Sequence, residues 1–175
     1  MDNKQKLEHM KLLAARMHGL QEYDKFPYVK HLKDVANVLM EFGYNEYSDE
    51  CIAAWGHDMV EDCPISYQYL KKEFGEIIAN IIYDVTDELG KTRIEKKVKT
   101  YPKTRGNQQA VVLKLADRIA NVTNSMVKNP TKFKMYLKEH SEFKEALYIP
   151  NEMDKIGKLD RMWDRLENLL GIKEL

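Results

Sequence analysis

The sequence has few of the features that mark secreted or membrane proteins. Its only two cysteines, Cys51 and Cys63, form neither a CxxC motif nor a framework of several pairs, which favours a reducing, cytosolic setting. No apolar run approaches the roughly 20 residues that span a bilayer. Residues 1–6 lack the apolar stretch of a signal peptide. These absences predict a cytoplasmic protein.

The chain also lacks an excess of charge of either sign. Lys and Arg together number 28, and so do Asp and Glu, so no global field draws the chain to nucleic acid or to anionic lipid. Charged residues make up 32% of the sequence, which excludes a membrane protein, and hydrophobic residues make up 43%, which is enough for a core. We therefore expect neither a nucleic-acid nor a membrane partner.

Helical periodicity dominates the sequence, and convincing alternation of apolar and polar residues is absent. The length suits one domain, and the pattern predicts an all-α fold with short connections. Ser48 and Ser66 are candidate N-caps, and a stretch from Ile77 to about Glu88 could be a helix or a strand. The other predicted helices lie at about 7–18, 28–42, 48–63, 66–75, 107–128, 131–147 and 152–170, with a basic segment at 91–105.

The strongest local pattern is the stretch 57–62, which holds His57, Asp58, Glu61 and Asp62. Residues four apart on a helix share a face, so a continuous helix pairs His57 with Glu61 and Asp58 with Asp62. Three acids beside an apolar stripe repel one another and cost free energy to desolvate, and a cation would relieve both effects. The alternative is a solvated acidic helix end.

Two residues elsewhere add further ligands. His31 lies on the apolar stripe of its helix, and Asp117 adjoins the apolar face of the long helix, one turn before Asn121. A satisfied core histidine is the commoner explanation for His31 alone, and Asp117 could pair on the surface with Arg118 or Lys114. Together, two imidazoles and two carboxylates suit Mn²⁺, Fe²⁺, Co²⁺ or Zn²⁺ better than Ca²⁺. The absence of thiolates argues against a structural zinc site.

Six short motifs follow one another in order: Ala15-Arg16-Met17-His18, Pro27-Tyr28-Val29-Lys30-His31, His57-Asp58-Met59-Val60-Glu61-Asp62, Phe74-Gly75, Val85-Thr86-Asp87 and Lys114-Leu115-Ala116-Asp117-Arg118. Their order and spacing resemble the HD superfamily, and more closely the RelA/SpoT-type guanosine tetraphosphate (ppGpp) hydrolases. The resemblance implies an HD-domain helical bundle. We predict one HD domain over residues 1–175, with a core at about 7–128 and a C-terminal helical extension at about 131–172.

The resemblance also implies roles for individual residues. It implies one Mn²⁺ ion held by two imidazoles and two carboxylates, those of His31, His57, Asp58 and Asp117. Glu61 and Asp62 would position and activate the attacking water, and Asn121 would lie near the nucleotide. The implied reaction removes the 3′-pyrophosphate of a guanosine nucleotide, for which charge neutralisation and an in-line nucleophile are the main requirements.

The chain departs from the family after His18. The family carries several basic residues there that help to bind substrate phosphates, whereas residues 19–25 contain two acids, a tyrosine and one lysine. The basic segment at 91–105 offers a substitute, because Arg93, Lys96 and Lys97 lie where the family places phosphate-binding residues. Arg93 could hold a phosphate with two parallel hydrogen bonds, and the lysines would act as point charges. The alternative is a solvated basic face.

The sequence thus predicts a metal-dependent phosphohydrolase acting on a nucleotide phosphate or pyrophosphate, similar to the (p)ppGpp 3′-pyrophosphohydrolases. A nucleoside monophosphate phosphatase and an NADPH phosphatase are alternatives within the same class. An alternative from another class is a non-catalytic module that senses a nucleotide and regulates a partner. The presence of all four candidate ligands and of the Glu-Asp pair favours the enzyme.

Overall fold

A computed structural model describes residues 1–149 and 157–172, which form ten helices and one small hairpin. The hairpin consists of β1 (Glu22–Tyr23) and β2 (Phe26–Pro27). The helices are α1 (Asn3–His18), α2 (Val29–Glu41), α3 (Asp49–Gly56), α4 (Met59–Asp62), α5 (Tyr67–Phe74), α6 (Glu76–Val85), α7 (Arg93–Arg105), α8 (Gln108–Lys128), α9 (Pro130–Leu147) and α10 (Lys158–Leu169). The predicted all-α class is confirmed.

Side-chain caps fix where several helices begin. The hydroxyl groups of Ser48 and Ser66 accept backbone N–H groups in the first turns of α3 and α5, as predicted. The side chain of Asn107 does the same for α8. At Gly75, which ends α5, φ is +91°, a conformation that glycine adopts without steric strain. The stretch that could have been a strand is α6, with Ile78, Ala79, Ile81, Ile82 and Val85 buried.

The predicted continuous helix over residues 48–63 was wrong. It breaks between α3 and α4, and His57 and Asp58 lie at the break. The Nδ1–H group of His57 donates to the carbonyl oxygen of Ala54 at 2.8 Å. In a regular helix this carbonyl oxygen would instead accept the backbone N–H of Asp58. The face-sharing argument therefore does not apply to His57 and Glu61, whereas the N–H of Asp62 still donates to the backbone oxygen of Asp58 at 2.8 Å, as in a regular helix.

Helix α8 lies at the centre of the bundle. It packs against α2, α3, α6, α7, α9 and α10, and the buried apolar side chains form one core. Helices α9 and α10 join this core through Phe143 and Trp163, whose ring centroids are 5.5 Å apart. His140 is buried beside Glu167 because both helices cover it.

The division of the domain into a core and a C-terminal extension stays a prediction. The start predicted for the last helix, at residue 152, lies outside the described residues. Within the described residues, no helix combines the length and the apolar character needed to cross a membrane.

Candidate active site

Four predicted ligand residues meet where α2, α8 and the α3–α4 break come together. The Nε2 atom of His57 lies 3.0 Å from Oδ2 of Asp58, and Nε2 of His31 lies 3.7 Å from the same oxygen. The Oδ1 atom of Asp117 lies 3.2 Å from Nε2 of His31 and 3.7 Å from Nε2 of His57. One ligand atom each of His31, His57 and Asp58 lies within 4.8 Å of the other two, and Asp117 borders this group of three through the imidazoles. The structure thus brings the four side chains together.

The group is partly enclosed, and its charges interact strongly. The imidazole side chains are 4% and 5% exposed, and the two carboxylate side chains 22% and 21%. Burial lowers the pKa of His57, but Asp58 and Asp117 outweigh burial and raise this pKa well above its ordinary value. Burial likewise opposes the charge of Asp117, whose pKa is nonetheless held well below its ordinary value by His31 and His57. The two carboxylates therefore stabilise the protonated form of His57, and the two histidines stabilise the ionised form of Asp117.

The hydrogen bonding of His57 fits a metal ligand. Because the carbonyl of Ala54 can only accept, Nδ1 of His57 carries a hydrogen in that bond, so Nε2 is the nitrogen that offers a lone pair whenever the ring is neutral. In the described part of the chain this Nε2 atom is buried and has no hydrogen-bond partner, although a carboxylate oxygen lies 3.0 Å away. A backbone carbonyl on the far nitrogen is a usual way to orient a metal-binding histidine. A divalent cation therefore fits this donor set.

Neighbouring side chains orient the two carboxylates. The hydroxyl of Tyr28 donates to Oδ2 of Asp58 at 2.6 Å, and the amide nitrogen of Asn121 donates to Oδ1 of Asp117 at 2.6 Å. The hydroxyl of Tyr23 in turn donates to Oδ1 of Asn121 at 2.5 Å. Asn121 thus contacts a candidate ligand directly, and two tyrosines complete the arrangement.

The sequence interpretation missed both tyrosines. The ring of Tyr23 stacks on that of His31, with centroids 4.6 Å apart, and the ring of Tyr28 stacks on that of His18 at 4.5 Å. Tyr28 lies three positions before His31 in one of the quoted motifs, and that spacing on a helix was a signal that it faces the same site. Tyr23 reaches the site from the hairpin, which no pattern indicated.

The surface alternatives for Asp117 do not occur. The Nζ atom of Lys114 donates to the backbone oxygen of Val85 at 2.8 Å and lies 3.3 Å from Oδ1 of Asp87. The guanidinium of Arg118 pairs with Glu139 instead. Asp117 is left facing the two imidazoles, in line with the ligand interpretation.

The two candidate catalytic acids differ in their surroundings. Glu61 lines the cavity beside the ligands, and its Oε2 atom accepts the N–H of Asp87 at 3.4 Å. Burial raises the pKa of Glu61, and the nearby charges of Asp87 and Asp58 raise it further. Asp62 does not line this cavity, and its Oδ2 atom accepts an N–H from Gln21 at 2.8 Å. The geometry therefore favours Glu61 as the group that faces a reacting molecule.

The cavity has a volume of about 510 Å³ and is strongly polar. Its acidic lining consists of Glu22, Asp58, Glu61, Asp87 and Asp117, and its basic lining of Arg93, Lys97, Lys114, Arg118 and Lys132. Asn121 and four tyrosines, Tyr23, Tyr28, Tyr101 and Tyr136, complete most of the wall. A site of this kind suits a molecule with several anionic groups and a ring that can stack.

The predicted phosphate-binding residues are separated by the structure. Within the basic segment at 91–105, Arg93–Arg105 form α7, and both Arg93 and Lys97 line the cavity. Lys96 does not line it, although its Nζ atom lies 3.9 Å from Oε1 of Glu61. The side chains of Arg93 and Lys97 both bind Glu139 of α9, a residue that the sequence interpretation did not single out.

Comparison with known proteins gives consistent relatives. A guanosine-3′,5′-bis(diphosphate) 3′-pyrophosphohydrolase of Aquifex aeolicus is 33% identical over 143 residues, which cover 78% of this chain and 20% of that protein. The protein named guanosine-3′,5′-bis(diphosphate) 3′-pyrophosphohydrolase MESH1 of Xenopus tropicalis is 29% identical over 159 residues, 86% of this chain and 88% of that one. The chain thus spans about a fifth of the bacterial relative and most of the amphibian one.

The fold is also similar to that of a solved structure. A metazoan ortholog of SpoT, described as hydrolysing ppGpp, superposes with a TM-score of 0.78 over 96% of this chain and 97% of that one, at 24% sequence identity. The family model of the HD domain matches residues 10–142, a span that contains every ligand candidate. Because this match covers most of the sequence, the chain belongs to the HD domain family.

Proposed function

We propose that the chain is a metal-dependent phosphohydrolase that removes the 3′-pyrophosphate of a guanosine nucleotide such as guanosine tetraphosphate. The observation that carries this proposal is the convergence of the four candidate ligands, His31, His57, Asp58 and Asp117, at the cavity that Glu61 also lines. Another part of the lining consists of Arg93, Lys97 and Arg118, which we call the cationic wall. The names of the Aquifex and Xenopus relatives, both 3′-pyrophosphohydrolases, support the same reaction.

The proposed ion is Mn²⁺, bound through Nε2 of His31 and of His57 and through one carboxylate oxygen each of Asp58 and Asp117. Nitrogen and oxygen donors without thiolates suit Mn²⁺, and Fe²⁺, Co²⁺ and Zn²⁺ remain compatible with the same set. When bound there, a divalent ion supplies charge neutralisation at a phosphoryl group and lowers the pKa of water.

The remaining steps belong to side chains of this chain. Glu61 takes the proton of the attacking water as general base, since its pKa is raised and its carboxylate faces the cavity. Tyr28 and Asn121 hold the carboxylates of Asp58 and Asp117 in fixed orientations through hydrogen bonds of 2.6 Å. Asp62 has a supporting role at the edge of the site through its bond to Gln21.

The cationic wall is the proposed place for phosphate groups remote from the reacting one. Arg93 and Lys97 reach the cavity from α7, and Arg118 joins them from α8. Glu22 of the hairpin also lines the cavity, so one of the two acids in the stretch that departs from the family would face the ligand. Cys51 and Cys63 are both free thiols, which agrees with the cytoplasmic location that stays a prediction.

A nucleotide panel tests the proposal. The purified protein is loaded with Mn²⁺ and incubated with guanosine tetraphosphate, nucleoside monophosphates and NADPH, and pyrophosphate and phosphate release are measured separately. We expect pyrophosphate release from guanosine tetraphosphate. Phosphate release from a monophosphate or from NADPH would instead support one of the two phosphatase alternatives. Tight nucleotide binding without turnover of any member would contradict the hydrolase and support a sensing module.

A further inference from the structure

Three cationic side chains converge on a single carboxylate beside the candidate site. The Nε atom of Arg93 donates to Oε1 of Glu139 at 2.7 Å, and the Nζ atom of Lys97 donates to Oε2. The NH1 group of Arg118 donates to the same Oε2 at 3.3 Å. Glu139 lies on α9, whereas the three cations come from α7 and α8, so the cluster joins three helices.

The cluster lies at the wall of the proposed nucleotide cavity. The cavity is lined by all three cations, Arg93, Lys97 and Arg118. Glu139 does not line it, and its side chain is 18% exposed. Three positive charges against one negative charge leave two positive charges in the cluster. Glu139 therefore reduces the charge that the wall presents to a ligand without itself facing the ligand.

The cations are not held by Glu139 alone. The guanidinium of Arg118 lies 4.7 Å from the ring centroid of Tyr136 and 4.3 Å from that of Phe143, so aromatic contacts fix it in place. Arg118 would therefore remain at the wall if the carboxylate were removed.

We infer that Glu139 is a specificity-determining residue, which acts through Arg93, Lys97 and Arg118 to limit the negative charge that the cavity accepts on a nucleotide. This inference rests on the proposed function, because it takes the cavity to be a nucleotide site. Glu139 is a positioning residue in this scheme, since it touches the cations and not the ligand. Its carboxylate cancels one positive charge of the wall. This lowers the affinity for a nucleotide with many phosphates more than it lowers the affinity for a nucleotide with few.

The charge count sets the expected effect of replacing Glu139. While Lys97 is protonated, the cluster in Glu139→Gln holds three positive charges instead of a net two, so binding is measured at pH 6.5, below the pKa of about 8 that burial gives Lys97. The attraction of the wall for a polyphosphate is then higher than in the wild type. Loss of order at Arg93 would weaken the binding of every nucleotide to a similar extent. The ratio of affinities for nucleotides of different charge therefore separates an electrostatic role from a merely structural one.

Equilibrium binding of GMP, GDP and GTP to the Mn²⁺-loaded protein, followed by calorimetry at fixed salt, tests the inference. None of these nucleotides carries a 3′-pyrophosphate, so binding is measured apart from the proposed reaction. We expect Glu139→Gln to raise the ratio of the GMP and GTP dissociation constants by on the order of tenfold. Glu139→Asp keeps the charge and should retain the wild-type ratio.

Glu145→Gln is the matched control, because Glu145 is an exposed acid on the same helix and the variant has the same change in net charge. A ratio that is unchanged or lowered in Glu139→Gln, or raised equally in Glu145→Gln, would overturn the inference. So would a wild-type protein that binds none of the three nucleotides. A raised ratio without turnover of any nucleotide would contradict the hydrolase alone, and turnover with an unchanged ratio would contradict this inference alone.

Discussion

The Nε2 atom of His31 on α2 lies 3.2 Å from the Oδ1 atom of Asp117 on α8, and the first of these residues reaches the site only because its helix buries an apolar face. The Oδ2 atom of Asp58, which lies at the break between α3 and α4, is 3.7 Å from the same Nε2 atom of His31. The candidate ligands thus depend on one another for position as well as for charge.

Asp58→Ala removes one of the four candidate ligands, which is also the one bonded to Tyr28. We expect loss of both Mn²⁺ binding and hydrolysis, because an ion that keeps three of four protein ligands binds far more weakly. Metal content after dialysis and pyrophosphate release are the two measurements. Glu8→Ala, at an exposed acid of α1, is the control and should leave both unchanged. Hydrolysis that survives in Asp58→Ala without bound metal would show that the scheme is wrong.

Glu61→Gln keeps the size of the side chain but removes its ability to accept a proton. Metal content should stay at the wild-type level, and kcat should fall by about 10² to 10⁴, the usual contribution of a general base. Asp62→Asn is the comparison, and we expect a smaller loss because Asp62 does not line the cavity. Near-normal turnover in Glu61→Gln, or a larger loss in Asp62→Asn, would assign the base elsewhere.

Tyr28→Phe removes the hydroxyl that donates to Asp58 at 2.6 Å and keeps the ring that stacks on His18. We expect the affinity for Mn²⁺ to fall by about tenfold, since outer partners of metal ligands commonly contribute that much. Metal titration of the purified variant measures the change. Tyr69→Phe, at an exposed tyrosine of α5, should leave the affinity unaltered. Wild-type affinity in Tyr28→Phe would mean that the hydrogen bond does not orient the ligand.

The Glu139 cluster also predicts a pH dependence of stability. Burial opposes the charge of Glu139, but Arg93 and Lys97 outweigh it and lower its pKa from 4.5 to about 2. Because the pKa in the folded state lies below that of the unfolded chain, the stabilisation is complete above about pH 4.5 and is lost as the pH falls towards 2. It amounts to about 3 kcal/mol at most.

Urea unfolding of the wild type and of Glu139→Gln at pH 7, 5 and 3 measures this effect. The difference in free energy of unfolding between the two proteins should be similar at pH 7 and 5 and should shrink at pH 3. Glu145→Gln should show no such trend, because Glu145 is exposed. A difference that stays constant down to pH 3 would contradict the assignment of the lowered pKa to Glu139.

The sequence predicted most helices and the convergence of the candidate ligands because both leave local patterns. Spacing of apolar residues and capping serines located α3 and α5, and the ordered motifs located His31 and Asp117 on separate helices. The continuous helix through His57 was wrong because a ring nitrogen competes for the carbonyl of Ala54, and periodicity carries no information on such a bond.

Other features depend on contacts between distant segments. Each strand of the hairpin has two residues, which is too short for alternation to be recognised, yet the hairpin brings Tyr23 to Asn121. Glu139 lies among other charged residues of α9, and nothing local distinguishes it from its neighbours. Only the packing of α9 against α7 and α8 gives it three cationic partners.

The proposed ligands come from α2, from the α3–α4 break and from α8, so an ion held by all four would tie together segments that the unfolded chain keeps apart. An ion that binds only the native form raises the free energy of unfolding, by about 4 kcal/mol when the concentration of free ion is a thousand times its dissociation constant. The melting temperature should therefore rise with Mn²⁺ concentration and fall on addition of a chelator. The supply of the ion would then govern how long the folded chain survives as well as how fast it works.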